Sequence, residues 1–274
     1  MSEEPILRKL TIGDVRSAQA LSTEAGWNQT ADDWRMLIEL SPQGCMAIEI
    51  EGEIASTATL TCYGSKLAWI GMVLTRIKYR GRGYAMLLLK ECLRVADELR
   101  VESVKLDATN LGQPLYEKLG FRAEQPVERW WRAGRENEIA LSTPGPATAN
   151  WQSADQSAFG VDRSAILTKL VRRPNALFTI DDSYLLTRAG REISYLGPAV
   201  CSSQTRARKL VEQALETPGS GGWFWDLLLA NRPAVSLAKE LGFEPRRHLL
   251  RMVRGQDLRG NESAIYALAG FELG

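Results

Sequence analysis

The sequence predicts two tandem α/β units joined by a linker, and three observations carry that expectation. The length of 274 residues suits two domains of ordinary size. The stretch "LSTPGPATANWQSADQ", from Leu141 to Gln156, is rich in Ser, Thr, Pro, Gly and Ala and has no apolar period, so it reads as a linker. The flanks repeat each other in the order of their landmarks. This divides the chain into a first domain over 1–142, a linker over 143–150 and a second domain over 151–274.

In the first half, Thr30 is positioned as an N-cap before "ADDW". "AWIGMVLT", Ala68 to Thr75, is a short apolar run suited to a buried strand. The run "YRGRGYA" follows. Then Leu88, Leu89, Cys92, Leu93, Ala96 and Leu99 recur at helical spacing, with Lys90, Glu91, Arg94, Asp97 and Glu98 on the other face. "VKLDATNLGQPLYEKLGF" supplies a second strand carrying Asp107, then a helix closed by Leu119-Gly120-Phe121. The second half repeats this: "SYLGPAVCS", the helix "ARKLVEQAL", then "WFWDLLLANRPAVSLAKELGF" with Asp226 in the strand and Gly242 at the close. Gly120 and Gly242 sit where a helix end needs a left-handed residue.

Composition excludes several function classes. With 45% apolar and 24% charged residues the chain is that of a folded protein, and its net charge of +1 gives no field for nucleic acid or an anionic membrane. No apolar h-region follows the acidic start, and the longest apolar stretches are too short to span a bilayer. Cys45, Cys62, Cys92 and Cys201 are scattered, and His248 is the single histidine, so neither a metal site nor a disulfide framework is expected. A cytoplasmic protein with reduced thiols is the expectation; oligomeric state is left open.

The Arg-Gly stretch is a strand-to-helix turn. A helix N-terminus offers unpaired N–H groups and the positive end of the dipole, and Gly81 and Gly83 let an anion approach that backbone. Arg80 and Arg82 can add charge-assisted hydrogen bonds. The spacing fits neither G-x-x-x-x-G-K-[ST] nor G-x-G-x-x-G.

What the turn does match is R-x-x-G-x-A, as Arg80, Gly83 and Ala85. Here the sequence resembles the GNAT superfamily of acyl-CoA N-acyltransferases, and "NLGQPLYEKLGF" is similar to that family's later motif. The whole chain looks like a two-domain branch with a second GNAT-like domain. The resemblance implies an α/β (α+β) fold of two tandem GNAT-like domains, each a mixed, mostly antiparallel central sheet flanked by helices and splayed after the cofactor-binding strand. It implies acetyl-CoA as acyl donor and no metal. Val73, Leu74 and Thr75 would face the pantetheine arm. Arg80, Gly81, Arg82, Gly83, Tyr84 and Ala85 would hold the pyrophosphate, and Asn110 would contact the cofactor. Tyr116 would be the general acid for direct attack of a small-molecule primary amine on the thioester.

The general base is open among Glu24, Asp32, Asp33, Asp107 and a water chain, with a structural role preferred for Asp107 because Asp226 repeats it. Trp27, Asn28 and Trp34 are the candidates for lining the acceptor pocket. The second half lacks the glycine turn, and Ala238 stands where the first half has Tyr116, so this copy is expected to shape the acceptor site without chemistry of its own. Two other readings stay open: an acyl-CoA-binding or sensing module, and a protein or peptide N-acetyltransferase.

Overall fold

The computed structural model describes residues 4–134, 151–172, 177–217 and 221–274. The expected linker over 143–150 lies outside the described residues. The first half contributes β1 (Ile6–Lys9), α1 (Val15–Glu24), α2 (Ala31–Leu40), β2 (Cys45–Ile50), β3 (Glu53–Tyr63), β4 (Leu67–Thr75), α3 (Tyr84–Glu98), β5 (Ser103–Ala108), α4 (Gln113–Glu117) and β6 (Arg122–Arg132). The second contributes α5 (Trp151–Phe159), α6 (Ser164–Val171), β7 (Leu177–Ile180), β8 (Ser183–Arg188), β9 (Ser194–Val200), α7 (Gln204–Leu215), β10 (Trp223–Leu228), α8 (Arg232–Glu240), β11 (Glu244–Gly255) and β12 (Ile265–Ala267). Among the described residues no helix is long and apolar enough to cross a membrane.

Local chemistry explains the helix ends. Thr30 caps α2: its hydroxyl accepts from the Asp33 amide at 3.2 Å and the Asp33 carboxylate accepts from the Thr30 amide at 2.8 Å, a reciprocal box. The apolar face of α3 is buried through Leu88, Leu89, Cys92, Leu93 and Ala96. Leu99, expected on that face, is the C-cap and is half exposed. Gly120 and Gly242 both have φ near +80° (85° and 79°). After each, the Phe amide bonds back five residues, Phe121 to the Tyr116 carbonyl and Phe243 to that of Ala238. The same closing bond makes Tyr116 and Ala238 structural counterparts.

The fold class is the one expected, a mixed and mostly antiparallel sheet flanked by helices, but the two halves do not keep separate sheets. A single sheet runs β1-β2-β3-β4-β5-β11-β6-β10-β9-β8-β7, with β12 attached to β9. One strand of each half has crossed over. β11 lies between β5 and β6, and β6 takes both its neighbours, β10 and β11, from the second half. One apolar core also runs through both halves, joining Trp34 and Leu37 of α2 to Leu167 and Leu170 of α6, and to Tyr184 and Leu273.

Candidate functional site

The parallel strands β4 and β5 pair only from Leu67↔Ser103 to Trp69↔Lys105 and then part. Beyond that point β4 carries a bulge: two steps on β3, Thr57 to Thr59, oppose three on β4, Leu74 to Gly71. Met72 inside the bulge has φ of 49°, a left-handed conformation that a non-glycine side chain resists. It is held by the Thr57 hydroxyl on the Met72 carbonyl (2.9 Å), while the Ser56 hydroxyl takes the Leu74 carbonyl (2.7 Å). The opened strands border a cavity of about 320 Å³ whose walls include Gly71, Met72, Val73, Leu106, Asp107, and Tyr116. Of the residues expected to meet the pantetheine arm, Val73 lines this cavity; Leu74 is buried beside it, and the Thr75 carbonyl accepts from Arg80 Nε at 3.2 Å.

The Arg-Gly turn follows a short 3-10 turn over Ile77–Tyr79. Gly81 (φ 77°) and Gly83 (φ 81°, the N-cap of α3) are both left-handed and exposed, and a Cβ on either would meet no atom within 4 Å. The α3 N-terminus therefore has backbone facing open space, with no side-chain cap on its N–H groups and with Arg80 and Arg82 exposed around it. Arg82 lies over the Tyr79 ring at 5.4 Å. Tyr84 turns into the core under α3, and Ala85 is half-buried. Asn110 is exposed and does not line the cavity.

Tyr116 sits on α4, buried, with its ring edge-on to Phe121 at 6.1 Å. Its ring also sets the identity of residue 112, since a Cβ at Gly112 would come within 2.9 Å of it. The hydroxyl has no hydrogen bond among the described residues, and burial pushes its pKa up to about 12. The phenol therefore stays protonated at neutral pH with its donor uncommitted. No cysteine lines the cavity, and burial pushes the Cys92 and Cys201 thiols up to about 12 as well.

The expected acceptor residues divide. Trp27 lines the cavity. Asn28 does too, but its side chain is committed across the halves: Nδ2 donates to the Ile193 carbonyl (2.7 Å), and Oδ1 accepts from the Glu192 and Ile193 amides. Trp34 is a correction. It is fully buried, its Nε1 donates to Ser22 Oγ at 3.1 Å, and it packs the helices rather than lining the cavity.

The candidate bases are mostly engaged elsewhere. Glu24 pairs with Arg76, Asp32 is exposed near Arg35, and Asp33 is buried against Arg188. Asp107 lines the cavity but is gripped by both arms of Arg251 (2.9 and 3.1 Å); burial still leaves its carboxyl above the usual range. Asp226 is held the same way by Arg129 (2.7 and 2.6 Å).

Sequence reasoning missed the rest of the wall. Phe271 and Glu272 reach it from the end of the sequence, and Phe224, Arg129, Arg246 and Arg247 from the exchanged strands and β10. Segment 270–274 is seated against β4: Trp69 Nε1 donates to the Phe271 carbonyl (2.9 Å), the Tyr63 hydroxyl to that of Leu273 (2.7 Å), and a Cβ on Gly71 would strike Glu272 Cα at 2.9 Å. No local signal reveals this, because it depends on two segments some 200 positions apart.

The second half has the same slot, and its own chain fills it. β9 and β10 pair in parallel only from Ser194↔Trp223 to Leu196↔Trp225. β12 then lies against β9 at Ala199 and Val200, and the Leu268 amide donates to the Asp226 carbonyl of β10 at 2.9 Å. Setting Asp226 on Asp107 makes Ala199 and Val200 the counterparts of Val73 and Leu74; setting the two bulges together makes them Leu74 and Thr75. Asn231, the Asn of the second landmark segment, donates to the Ser263 and Ile265 carbonyls and so ties the filling strand down. The α7 N-terminus in this half is closed by the Ser203 side chain accepting from the Arg206 amide.

Two family models match the chain. One described as "Acetyltransferase (GNAT) family" matches residues 14–121, and one described as "Acetyltransferase (GNAT) domain" matches residues 152–267. A holothin acyltransferase from Pseudoalteromonas sp. (strain SANK 73390) is 23% identical over 265 residues, covering 90% of this chain and 87% of the relative. A crystal structure of a putative acetyltransferase from Pyrococcus horikoshii superposes with a TM-score of 0.87 at 22% identity, covering 98% of this chain and 96% of that one. A tandem GNAT protein from the clavulanic acid biosynthesis pathway superposes with a TM-score of 0.62 at 13% identity, over 92% and 98% of the two chains.

Proposed function

The chain belongs to the GNAT acetyltransferases as a tandem of two GNAT domains, and from that premise we propose that it transfers an acetyl group from acetyl-CoA to a primary amine of a small molecule. The observation that carries the reading is one cavity lined both by the bulged stretch of β4 at Val73, where pairing with β5 has ended, and by Tyr116, whose hydroxyl is uncommitted.

The residues present fit an acyl-CoA. The second half supplies an internal template, since its slot accepts the extended backbone of β12 along the strand equivalent to Val73–Thr75. A pantetheine arm carries amides that can pair with a strand edge in the same manner. The open backbone at Gly81 and Gly83, with Arg80 and Arg82 beside it, suits a diphosphate.

When bound, acetyl-CoA supplies an acyl carbon to which the amine nitrogen bonds as the carbon–sulfur bond breaks, leaving a thiol. The protein's part is to position and to move protons. Backbone N–H near Val73, on the side of β4 that β5 has left, would stabilise an oxygen that gains charge. Tyr116 holds a proton for the departing sulfur. A phenol at about 12 is a weaker acid than a free one, against about 8.5 for an ordinary thiol. Burial in the same slot disfavours a thiolate as it disfavours a phenolate, which narrows that gap.

A small-molecule acceptor is supported by the walls, which come from both halves, and by the name of the relative that matches most of the chain, a holothin acyltransferase. The four cysteines are free, in keeping with a reducing compartment such as the cytoplasm. The test is release of thiol from acetyl-CoA by the full chain across a panel of polyamines, amino acids, aminoglycosides and peptides. Turnover with small amines supports the reading. Acetyl-CoA binding without thiol release for any amine leaves a binding module instead.

A further inference from the structure

The cavity wall carries two groups of opposite charge, a guanidinium with no ion pair among the described residues and a carboxylate whose partner guanidinium is shared. Its arginines and carboxylates mostly cancel: Asp107 with Arg251, and Arg129 with Asp226. Arg246 reaches outward, with its guanidinium over the Trp131 ring at 4.5 Å. Two groups are left over.

The first is Arg247. It lines the cavity half-buried and has no ion pair or hydrogen bond among the described residues; its guanidinium lies 5.8 Å from the Trp27 ring. Burial, with the Arg129 guanidinium nearby, lowers its pKa against the smaller opposing pull of the Asp226 carboxylate, so an anion from outside the protein would stabilise this charge.

The second is Glu272. One oxygen accepts from Arg188 Nη2 at 3.2 Å, but Arg188 is shared: its Nη1 serves Asp33 at 3.2 Å and its Nη2 also donates to the Ala269 carbonyl. One guanidinium thus stands between two carboxylates, with Arg129, itself paired to Asp226, as the next positive charge near Glu272. The other Glu272 oxygen accepts no hydrogen bond among the described residues. Gln29 Oε1, also in the cavity wall, is buried with no hydrogen-bond partner. These are acceptors in want of donors, and Glu272 is backed onto β4 at Gly71, next to the bulge that opens the slot.

Resting on the acyltransferase reading, we propose that the acceptor is a small zwitterionic amine whose anionic group, a carboxylate or phosphate, is held by Arg247 and whose ammonium is received by Glu272. Glu272 then takes the ammonium's proton, so that the nitrogen presents its lone pair beside the β4 bulge. A guanidinium recognises either anion by the same paired hydrogen bonds, so the two must be separated by experiment.

The experiment is thiol release from acetyl-CoA by the full chain, with matched sets of amines: an amino acid, its aminophosphonate analogue, its carboxamide and its decarboxylated amine. At least one anion-bearing amine is expected to exceed its decarboxylated partner tenfold or more in kcat/KM. Arg247→Ala should bring that ratio to near one through KM, and Arg247→Lys should restore part of it. Glu272→Gln should lower kcat at least tenfold with acetyl-CoA affinity retained in a calorimetric titration. Release with neutral or polycationic amines only, or a ratio untouched in Arg247→Ala, overturns this proposal and leaves the acyltransferase intact. No release with any amine overturns both.

Discussion

Asp107 on β5 is bound through both carboxylate oxygens by Arg251 on β11, so a strand from the end of the chain is fastened to the strand that borders the first half's slot. Asp226 and Arg129 form the same bidentate pair at the equivalent place in the other half. Each aspartate is therefore neutralised by an arginine from the strand that crossed over. The side chains of both pairs are nearly inaccessible, at most 9% exposed.

Removing one partner of such a pair strands a buried charge. Asp107→Ala and Asp226→Ala should each destabilise the protein by about 3–5 kcal/mol. Pairing Asp107→Leu with Arg251→Met should recover most of that loss, since an apolar pair of similar volume avoids the desolvation cost. Urea titrations give the comparison. A single mutant within about 0.5 kcal/mol of wild type would show that the pair does not fasten the halves.

The exchange also decides what truncation does. Without the second half, β5 loses β11, and β6 loses both neighbours. A chain ending at residue 142 should therefore fail to give a folded monomer that binds acetyl-CoA. The full chain should unfold in one calorimetric transition. Two resolved transitions, or a truncated chain with wild-type affinity, would contradict a shared sheet.

Gly83 caps α3 at φ of 81° with open space around it. A valine there is strained in that conformation and fills the place of a diphosphate. Gly83→Val should weaken acetyl-CoA binding more than tenfold, about 1.4 kcal/mol, while the exposed turn leaves the fold standing. Calorimetric titration of the folded variant decides it, and unchanged affinity removes the turn from the site.

The turn, Tyr116 and the closing glycines were legible because each is a local pattern. The tryptophans were harder. Trp27 and Trp34 are seven residues apart, a spacing that puts two residues on one helical face, but Trp27 precedes the Thr30 cap and so lies outside the helix. Only the residue outside the helix faces the cavity, while Trp34 turns into the core. Arg247 and Glu272 gave no local signal. Strand patterning in "EPRRHLLRMVRG" announces a strand but not its partner, and the partner here is in the other half of the chain.

Tyr116 combines an uncommitted hydroxyl with a pKa pushed up to about 12. The protonated phenol is the useful form. A raised pKa keeps that form populated from neutral pH up to about 12, where an ordinary phenol would be lost near 10. Tyr116→Phe should lower kcat by about 10²-fold with little change in acetyl-CoA affinity. The wild-type kcat should show no alkaline fall belonging to this residue below about pH 10. A limb near pH 9 that disappears in Tyr116→Phe would mean that the phenol is not held up by burial, and wild-type turnover in the variant would assign the proton to another donor.

The second half bears on stoichiometry. Its slot is occupied by β12, which is held to β9 by strand pairing, to β10 through the Leu268 amide and to α8 by Asn231. Its helix N-terminus carries a serine cap where the first half has open glycine backbone. A diphosphate has nothing to displace at Gly83, but at Ser203 it would have to break a cap worth about 1 kcal/mol. An arm in this slot would in addition have to expel a strand of the protein's own chain. The intact protein should therefore bind one acetyl-CoA. Ser203→Ala should cost some stability and leave acetyl-CoA affinity unchanged, whereas Gly83→Val should abolish most of the titration signal. A stoichiometry near two, or residual full-affinity binding in Gly83→Val, would show that the second slot opens and that β12 is a displaceable occupant.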